Sequence, residues 1–493
     1  MRTVRTGSGA TAVQIVHGSH RGSRDVEHIG SAHDEAELAS LRAAAAQRIA
    51  AGQTQLELGL DAGSGAAGPL EIVASRMGHL WDALGRAYER LGLEAAAGGD
   101  ELFRSLVLAR IIEPTSKLDS LRILAEVGVP APSYRTVLRR LRGYSSAEWR
   151  AGLSAACAGH ARLGPASLVL YDVSTLYFEI DEGDGFRESG FSKERRLEPQ
   201  ITIGLLTDGG GFPLALQSFE GNRAETTTML PTITAFIAAH QLTDVTVVAD
   251  AGMLSQSNRC AIAEAGLSYV LGARIPHVPW VIADWRKHHP GKEIPDGQVF
   301  TQPWPASANG TARDEVIYYQ YRADRARRSL RGIDEQVGKA EKAVAGKVPV
   351  KRNRFVTLTG GQRTVNRTLE AKARALTGIK GYVTNMASPN PDLVIGAYHQ
   401  LWHVEKSFRM SKHDLRARPI YHHLRESIDA HLNIVFAALA VSRHIEAQTG
   451  WSIRRFVQTA RRYRTIEIRA GQHQLIAEDP LPNDLRDALA MII

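Results

Sequence analysis

The sequence predicts a mixed α/β fold: a mixed sheet flanked by helices, interrupted by a mostly β insertion and preceded by an N-terminal helical domain. Three observations predict it. From about residue 71 to 165 the pattern is helical throughout. At 166 it changes to runs of β-branched and aromatic residues, beginning with ASLVLYDVSTLYFEI, the texture of a buried strand. From there the segments follow as β-β-β-α-β-α-β, three strands suited to antiparallel pairing and then helices crossing over to parallel ones.

The bulk properties leave room for such a core. The 493 residues are 44% hydrophobic and 23% charged, ordinary for a globular protein with more than one domain. The net charge of +8 favours polyanionic partners, nucleic acid first. The only cysteines, Cys157 and Cys260, sit in no CxxC or Cys/His cluster, which argues against a disulfide framework or a thiolate zinc site. The N-terminus has no apolar run of signal-peptide length. The longest strongly apolar run, IVFAALAV at 434–441, is far short of the roughly 20 residues that span a bilayer, so no membrane partner is expected.

Residues 1–70 hold an extended start, TAVQIVHG, an Ala-rich helix in EAELASLRAAAAQRIAAG, and a linker at DAGSGAAGPL. In the helical domain, 71–165, TSKLDSLRILAEVGVPAPSYRTVLRRLRGY reads as helix, tight turn, helix. Gly128 stops the first helix and Ser133 caps the second. Residues 101–150 carry nine Arg or Lys against five Asp or Glu, with Arg135 and Arg139 on the second helix. The segment alone is accounted for by two packed helices with a solvated basic face, or by a helix-turn-helix that meets DNA. The sheet begins at 166–273: LVLYDVST, EPQITIGLLTD and FPLALQSFEG with GGG as a hairpin turn, then a helix, DVTVVADAG, a helix and SYVLGAR. Residues 274–379, with Trp280, Trp285 and Trp304, read as the mostly β insertion. KGYVTNM opens 380–445; Asn390 and Pro391 then start a helix as cap and first-turn proline. A basic tail fills 446–493.

Three carboxylates stand out. Asp172 lies in a hydrophobic strand and Asp250 at the carboxyl end of another, where apolar strands rarely hold Asp and ligands of open α/β sheets collect. If those strands are neighbours, the two carboxylates lie side by side and repel unless a cation separates them. Along YHQLWHVEKSFRMSK, steps of three and four put Tyr398, Leu401, Glu405, Phe408 and Lys412 on one helical stripe. Glu405, at its middle, is expected to point toward the sheet. A buried carboxylate needs a partner; Arg409, four residues on, can supply it, and each aspartate alone can be a turn or cap residue. His422, His423 and His431 show no metal-ligand spacing, and packing accounts for them.

The spacing Tyr398-x2-Leu401-x3-Glu405-x6-Lys412 resembles the Y-x2-R-x3-E-x6-K signature of bacterial insertion-sequence transposases with a DDE triad. YDVSTLYFE, SFEGNRAETTTM, VVADAGMLS, LWHVEKSFRMSKHDLRARPIYHHLRESIDAH, HIGSAHDEAEL and ARIIEPTSKL are similar, in order, to blocks of one branch of that superfamily. Leu401 stands where the signature has arginine. The resemblance implies a ribonuclease H-like core with its insertion between the fifth strand and the glutamate helix; 155 positions separate Asp250 from Glu405, enough to hold one. It implies a transposase that cuts transposon ends and joins the new 3′-OH to target DNA. Two Mg2+ ions, with Mn2+ able to substitute, would be held by oxygen ligands, Asp172 bridging both and Asp250 and Glu405 holding one each. Tyr398, Lys412, Arg409, Arg416 and Arg418, with Arg135 and Arg139, are then phosphate-contact candidates, although an ordinary solvated basic face explains the basic residues equally well. The tryptophans of the insertion can stack on an unpaired base or simply be core. The implied partners are double-stranded DNA, as terminal inverted repeats and target, and a second copy of the chain in a synaptic homodimer, in the cytoplasm at the bacterial nucleoid. A catalytically inactive transposase-derived DNA-binding factor and a metal-dependent nuclease without strand transfer are the alternatives.

Overall fold

A computed structural model describes residues 1–5, 10–20, 23–51, 70–164, 166–190, 198–253, 255–304, 315–349, 353–359, 362–387, 389–420, 422–470 and 473–492. The chain forms two compact units, residues 1–75 with 466–477, and residues 76–465 with 478–493.

In the first unit, strands Arg2–Arg5, Thr11–His20 and Ser23–Ala32 form an antiparallel sheet in sequence order. The helix Glu35–Ala51 covers it, closing a small core of Val13, Ile15 and Ala45. Its start is capped by side chains: Asp34 Oδ1 accepts from the Glu37 amide at 2.7 Å, and the Glu37 carboxylate accepts from the His33 amide, just before the cap, at 2.9 Å. A second sheet has Thr465–Ala470 between His473–Glu478 and Glu71–Arg76. Most of the expected linker, residues 61–69, lies outside the described residues.

The second unit is built on one mixed sheet. Its strands are β1 (Leu168–Tyr177), β2 (Gln200–Asp208), β3 (Pro213–Glu220), β4 (Thr246–Ala249), β5 (Ser268–Ala273), β6 (Val299–Pro303), β7 (Val316–Tyr321) and β8 (Ile379–Thr384). They lie in the order β6-β7-β8-β5-β4-β1-β2-β3. β1, β2 and β3 pair antiparallel, while β4 joins β1, and β5 joins β4, in parallel. The helices Met229–His240 and Gln256–Glu264 make the two crossovers, so the β-β-β-α-β-α-β reading holds in order and in strand direction. Alternate residues enter two different cores: Leu170, Val248 and Val270 on one face, Val169, Val247 and Tyr269 on the other. A sheet covered on both faces needs such nearly continuous apolar strands.

The segment 274–379 differs from the expected mostly β insertion. Among its described residues, helices Trp280–His288, Ala323–Val344 and Arg367–Ala375 outweigh the four strands. Two of those strands, β6 and β7, extend the main sheet through β8. The long basic helix buries Ala326, Ile333, Val337, Ala340 and Ala343, a helical period, and Ile333, Val337 and Ala340 close a satellite core with Phe355. That the segment contains strands is legible in the sequence; that two of them belong to the main sheet is not.

One helix joins the helical segment to the sheet. Arg425–Thr449 is buried at every position from Ala430 to Ile445, which explains the apolar run within it. Asn433 donates to the Tyr144 carbonyl at 2.7 Å on one side, and Asp429 accepts from Ser218 of β3 at 2.6 Å on the other. In the helical segment, the turn read from sequence is present: Gly128 takes φ +78°, a value that glycine adopts without strain, and Ser133 caps Tyr134–Leu141 through the Thr136 amide at 3.2 Å. No described helix is long and apolar enough to cross a membrane.

Leu439 is fully buried in the long helix. Leu439→Ala is expected to cost about 2–5 kcal/mol, the usual range for a truncated core leucine. Urea denaturation measures it, and a loss below about 1 kcal/mol would contradict the helix's place at the centre of the unit.

Candidate active site

Asp172 is the fifth residue of β1, and Asp250 directly follows β4. The parallel register pairs Tyr171 with Ala249, so one further step sets Asp172 beside Asp250. Leu170 and Val248, two residues before each, lie in the same core. Side chains alternate along a strand, so by parity both aspartates face that side of the sheet. Asp172 is half-buried and Asp250 exposed.

The same side receives the segment that carries Glu405. It is two helices, Pro391–His399 and Leu401–Arg409, interrupted at Gln400. Asn390 caps the first through the Asp392 amide at 2.8 Å, with Pro391 in the first turn. The second packs through Leu401, Val404, Ser407 and Phe408. Glycines of the β2–β3 turn make the approach possible. Ser407 Oγ donates to the Gly211 carbonyl at 2.7 Å. A Cβ on Gly211, whose φ is +83°, would stand 2.8 Å from the His403 carbonyl. The GGG run thus serves helix docking as well as the hairpin.

Glu405 itself is exposed, contrary to the expectation that it points into the sheet. Leu401, Val404 and Phe408 fit a helical period as well as Leu401, Glu405 and Phe408 do, and burying Val404 avoids desolvating a carboxylate. The expected partner Arg409 is exposed too, and among the described residues no ion pair links it to Glu405. Leu401, where the signature has arginine, is a packing residue, 7% exposed.

Tyr398 also differs from its expected place at a phosphate. It is 5% exposed, and its hydroxyl donates to Asp250 Oδ1. Its ring meets Tyr382 edge-on, with centroids 5.0 Å apart. Gly272, the register partner of Tyr382, leaves the space: a Cβ there would lie 2.8 Å from the Tyr398 hydroxyl. Burial first, then the bond to Asp250, pushes that hydroxyl's pKa up, so it stays a donor. Lys380 Nζ lies 4.2 Å above the Tyr398 ring. Burial lowers its pKa, and the nearby Asp250 and Glu405 carboxylates oppose that. Lys380 therefore shares the electrostatic neighbourhood of both carboxylates. The sequence reading missed it; the signal was a lone charge inside the strand IKGYVT.

The other candidates are spread more widely. Lys412 falls in a wide turn, Met410–Asp414, closed by the Leu415 amide donating to Met410 O at 2.9 Å. Such a turn takes an extra residue, so two regular turns do not separate Lys412 from Glu405. Arg416 is exposed, and the Arg418 guanidinium lies 4.8 Å from the centre of the Tyr177 ring. Arg135 and Arg139 are exposed on the helix after Ser133. Trp285 stacks on His289 at 4.5 Å, Trp304 lies under Arg259, and Trp280 is 64% exposed. Asp172, Asp250 and Glu405 offer only oxygens, which suits a hard divalent cation. Among the described residues, however, no three His, Cys, Asp or Glu side chains are gathered closely enough to hold one ion. The aspartates are set as a pair, and Glu405 stands apart from them.

Comparison with known proteins agrees with the family resemblance. No curated protein matches the chain. Among solved structures, a piggyBac transposase in a synaptic complex with hairpin DNA aligns at 12% identity and a TM-score of 0.37, over 84% of this chain and 76% of that one. The family model described as "Transposase DDE domain" matches residues 164–441. That span runs from just before β1 through the glutamate helix into the long buried helix and covers more than half of the sequence, and the chain belongs to the transposase DDE domain family.

Proposed function

We propose that the chain is a DNA transposase that cuts DNA at transposon ends and joins the freed strand to target DNA, using a ribonuclease H-like core. The observation that carries this reading is the side-by-side placement of Asp172 and Asp250 on neighbouring parallel strands, facing the helix of Glu405 in a chain of this family. The reaction has two steps: water attacks phosphorus at the transposon end and the 3′ oxygen leaves, giving a 3′-OH and a 5′-phosphate, and that 3′-OH then attacks a target phosphodiester and displaces the target's 3′ oxygen. Asp172 and Asp250, joined by Glu405 once its exposed side chain turns inward, would hold Mg2+ or Mn2+. A divalent cation there would supply activation of the attacking oxygen and charge stabilisation at the leaving one.

The chain's own groups carry the remaining work. Tyr398 holds one Asp250 oxygen through its hydroxyl and so orients the carboxylate. Lys380 tempers the repulsion between Asp250 and Glu405 and keeps a cation close to where phosphate negative charge would enter. Lys412, Arg409, Arg416 and Arg418 are assigned to backbone phosphates, and Arg135 and Arg139 to DNA along the helical segment. We assign 71–165 to DNA binding, 166–273 and 380–445 to the catalytic core, and 274–379 to its insertion. Two ends must be held together for strand exchange, so a homodimer on DNA is part of this reading, at the bacterial nucleoid.

Asp172→Ala, Asp250→Ala and Glu405→Ala should each abolish end cleavage in Mg2+ and leave end binding nearly intact, as read by gel-based cleavage and mobility-shift assays. Full cleavage by any one variant removes that residue from the assignment. A wild-type chain that binds ends and cuts none in Mg2+ or Mn2+ would be a DNA-binding factor instead. Tyr398→Phe keeps the ring and removes one hydrogen bond, so stability should fall by only about 0.5–1.5 kcal/mol. Single-turnover cleavage should fall about 10–100-fold, the usual effect of losing a group that orients a metal ligand. Unchanged cleavage would leave Tyr398 a packing residue.

A further inference from the structure

Away from the carboxylates, a second concentration of charge has, among the described residues, no carboxylate paired with it. ARIIEPTSKL places Arg110 in the helix Glu101–Ile112 and Lys117 at the start of the helix Lys117–Glu126. Both are 5% exposed. With His422, His431 and Arg416 they line a cavity of about 360 Å³. Lys117 Nζ lies 2.6 Å from His431 Nδ1, and His431 Nε2 lies 3.1 Å from the Ala417 carbonyl. Only a protonated Nε2 can bond that carbonyl, so Nδ1 accepts from the ammonium and the imidazole is neutral. Among the described residues, no hydrogen bond or ion pair engages Arg110. The cavity's one carboxylate, Asp119, turns to the hydroxyls of Thr115 and Ser116 at 3.1 and 2.8 Å. Burial lowers the pKa of Arg110 to about 10 and, together with the charge of Arg110, drives that of Lys117 well down.

Two buried cations side by side without an anion are costly to fold around. A structural ion pair would supply a carboxylate, and this cavity supplies open volume. Lys117 also begins a helix, where the free amides and the dipole already favour negative charge. We propose that the cavity defined by Arg110, Lys117, Arg416, His422 and His431 binds a phosphate group. An ammonium, a guanidinium in fixed position and a second guanidinium at the rim match a tetrahedral oxyanion. The phosphate belongs either to a DNA strand or to a free phosphate ion. The first source rests on the transposase reading, and the pocket itself does not.

Thermal unfolding of the full chain tests the pocket with inorganic phosphate against chloride at equal ionic strength. Phosphate should raise the Tm of the wild type, since a ligand that binds only the folded state stabilises it. Lys117→Met should unfold no earlier than the wild type without phosphate, because it removes a buried basic group that no carboxylate compensates, and should lose the phosphate response. Arg416→Gln, at the exposed rim, should weaken the response and keeps the test usable if Lys117→Met does not fold. No phosphate shift in the wild type, or an undiminished shift in the folded variants, overturns the proposal. DNA titration at several salt concentrations separates the sources. If the phosphate is DNA's, Lys117→Met binds DNA more weakly and its slope of log K against log salt flattens by about 0.9. If it is a free ion, Lys117→Met loses the phosphate response while its DNA affinity stays unchanged. A chain that binds no DNA yet keeps the phosphate response refutes the transposase reading and leaves the pocket standing.

Discussion

The parallel pairing of β1 with β4 is the constraint from which the rest of the site follows. Two apolar strands, each ending its buried run near an aspartate, are zipped in a register that pairs Tyr171 with Ala249. The pairing brings two like charges to neighbouring positions, which neither strand would favour alone. The fold can hold them there because both strands are buried on both faces, through Leu170 and Val248 on one and Val169 and Val247 on the other. A slip of one residue would turn every one of these side chains to the wrong face. The hydrophobic packing of the sheet therefore fixes the carboxylates.

The segment bearing Glu405 is positioned by a different kind of fit. Small residues open the space in which larger ones dock: Gly211 beneath His403, and Gly272 beneath Tyr398. The long helix Arg425–Thr449 closes the arrangement from behind, buried over sixteen successive positions from Ala430 to Ile445 and bonded both to β3 and to the helical segment. Glu405 is left exposed at the edge of the docked face, where its side chain is free of the core and lies near Lys380 and Tyr398, whose electrostatics it affects.

Much of this was legible in the sequence, for identifiable reasons. The succession and direction of the first five strands followed from apolar runs broken by helices, and the helix starts at Ser133 and Asn390 followed from cap chemistry. The aspartates were found because a carboxylate in an apolar strand is conspicuous. Less was legible where periodicity is ambiguous. Leu401–Val404–Phe408 and Leu401–Glu405–Phe408 are both helical stripes, and only the packed structure chooses the first. The break at Gln400 and the wide turn at Met410–Asp414 shift later residues from the phase a straight helix would give, so the place of Lys412 could not be counted from Glu405. The bond from Tyr398 to Asp250 spans 148 positions in the chain, and no local pattern announces it. Lys380 and the buried pair Arg110 and Lys117 were hidden for the opposite reason: basic residues are common in this chain, and only burial sets these three apart.

In the proposed chemistry, Asp172 and Asp250 form the oxygen ligand pair around which the reaction is built. Anomalous diffraction from crystals of the full chain, bound to a DNA end in Mn2+, tests it most directly. The account predicts an anomalous peak in contact with carboxylate oxygens of both Asp172 and Asp250, with Glu405 drawn in from its exposed position. Manganese bound elsewhere on the chain, with the two aspartates bare and Tyr398 still on Asp250, would contradict it.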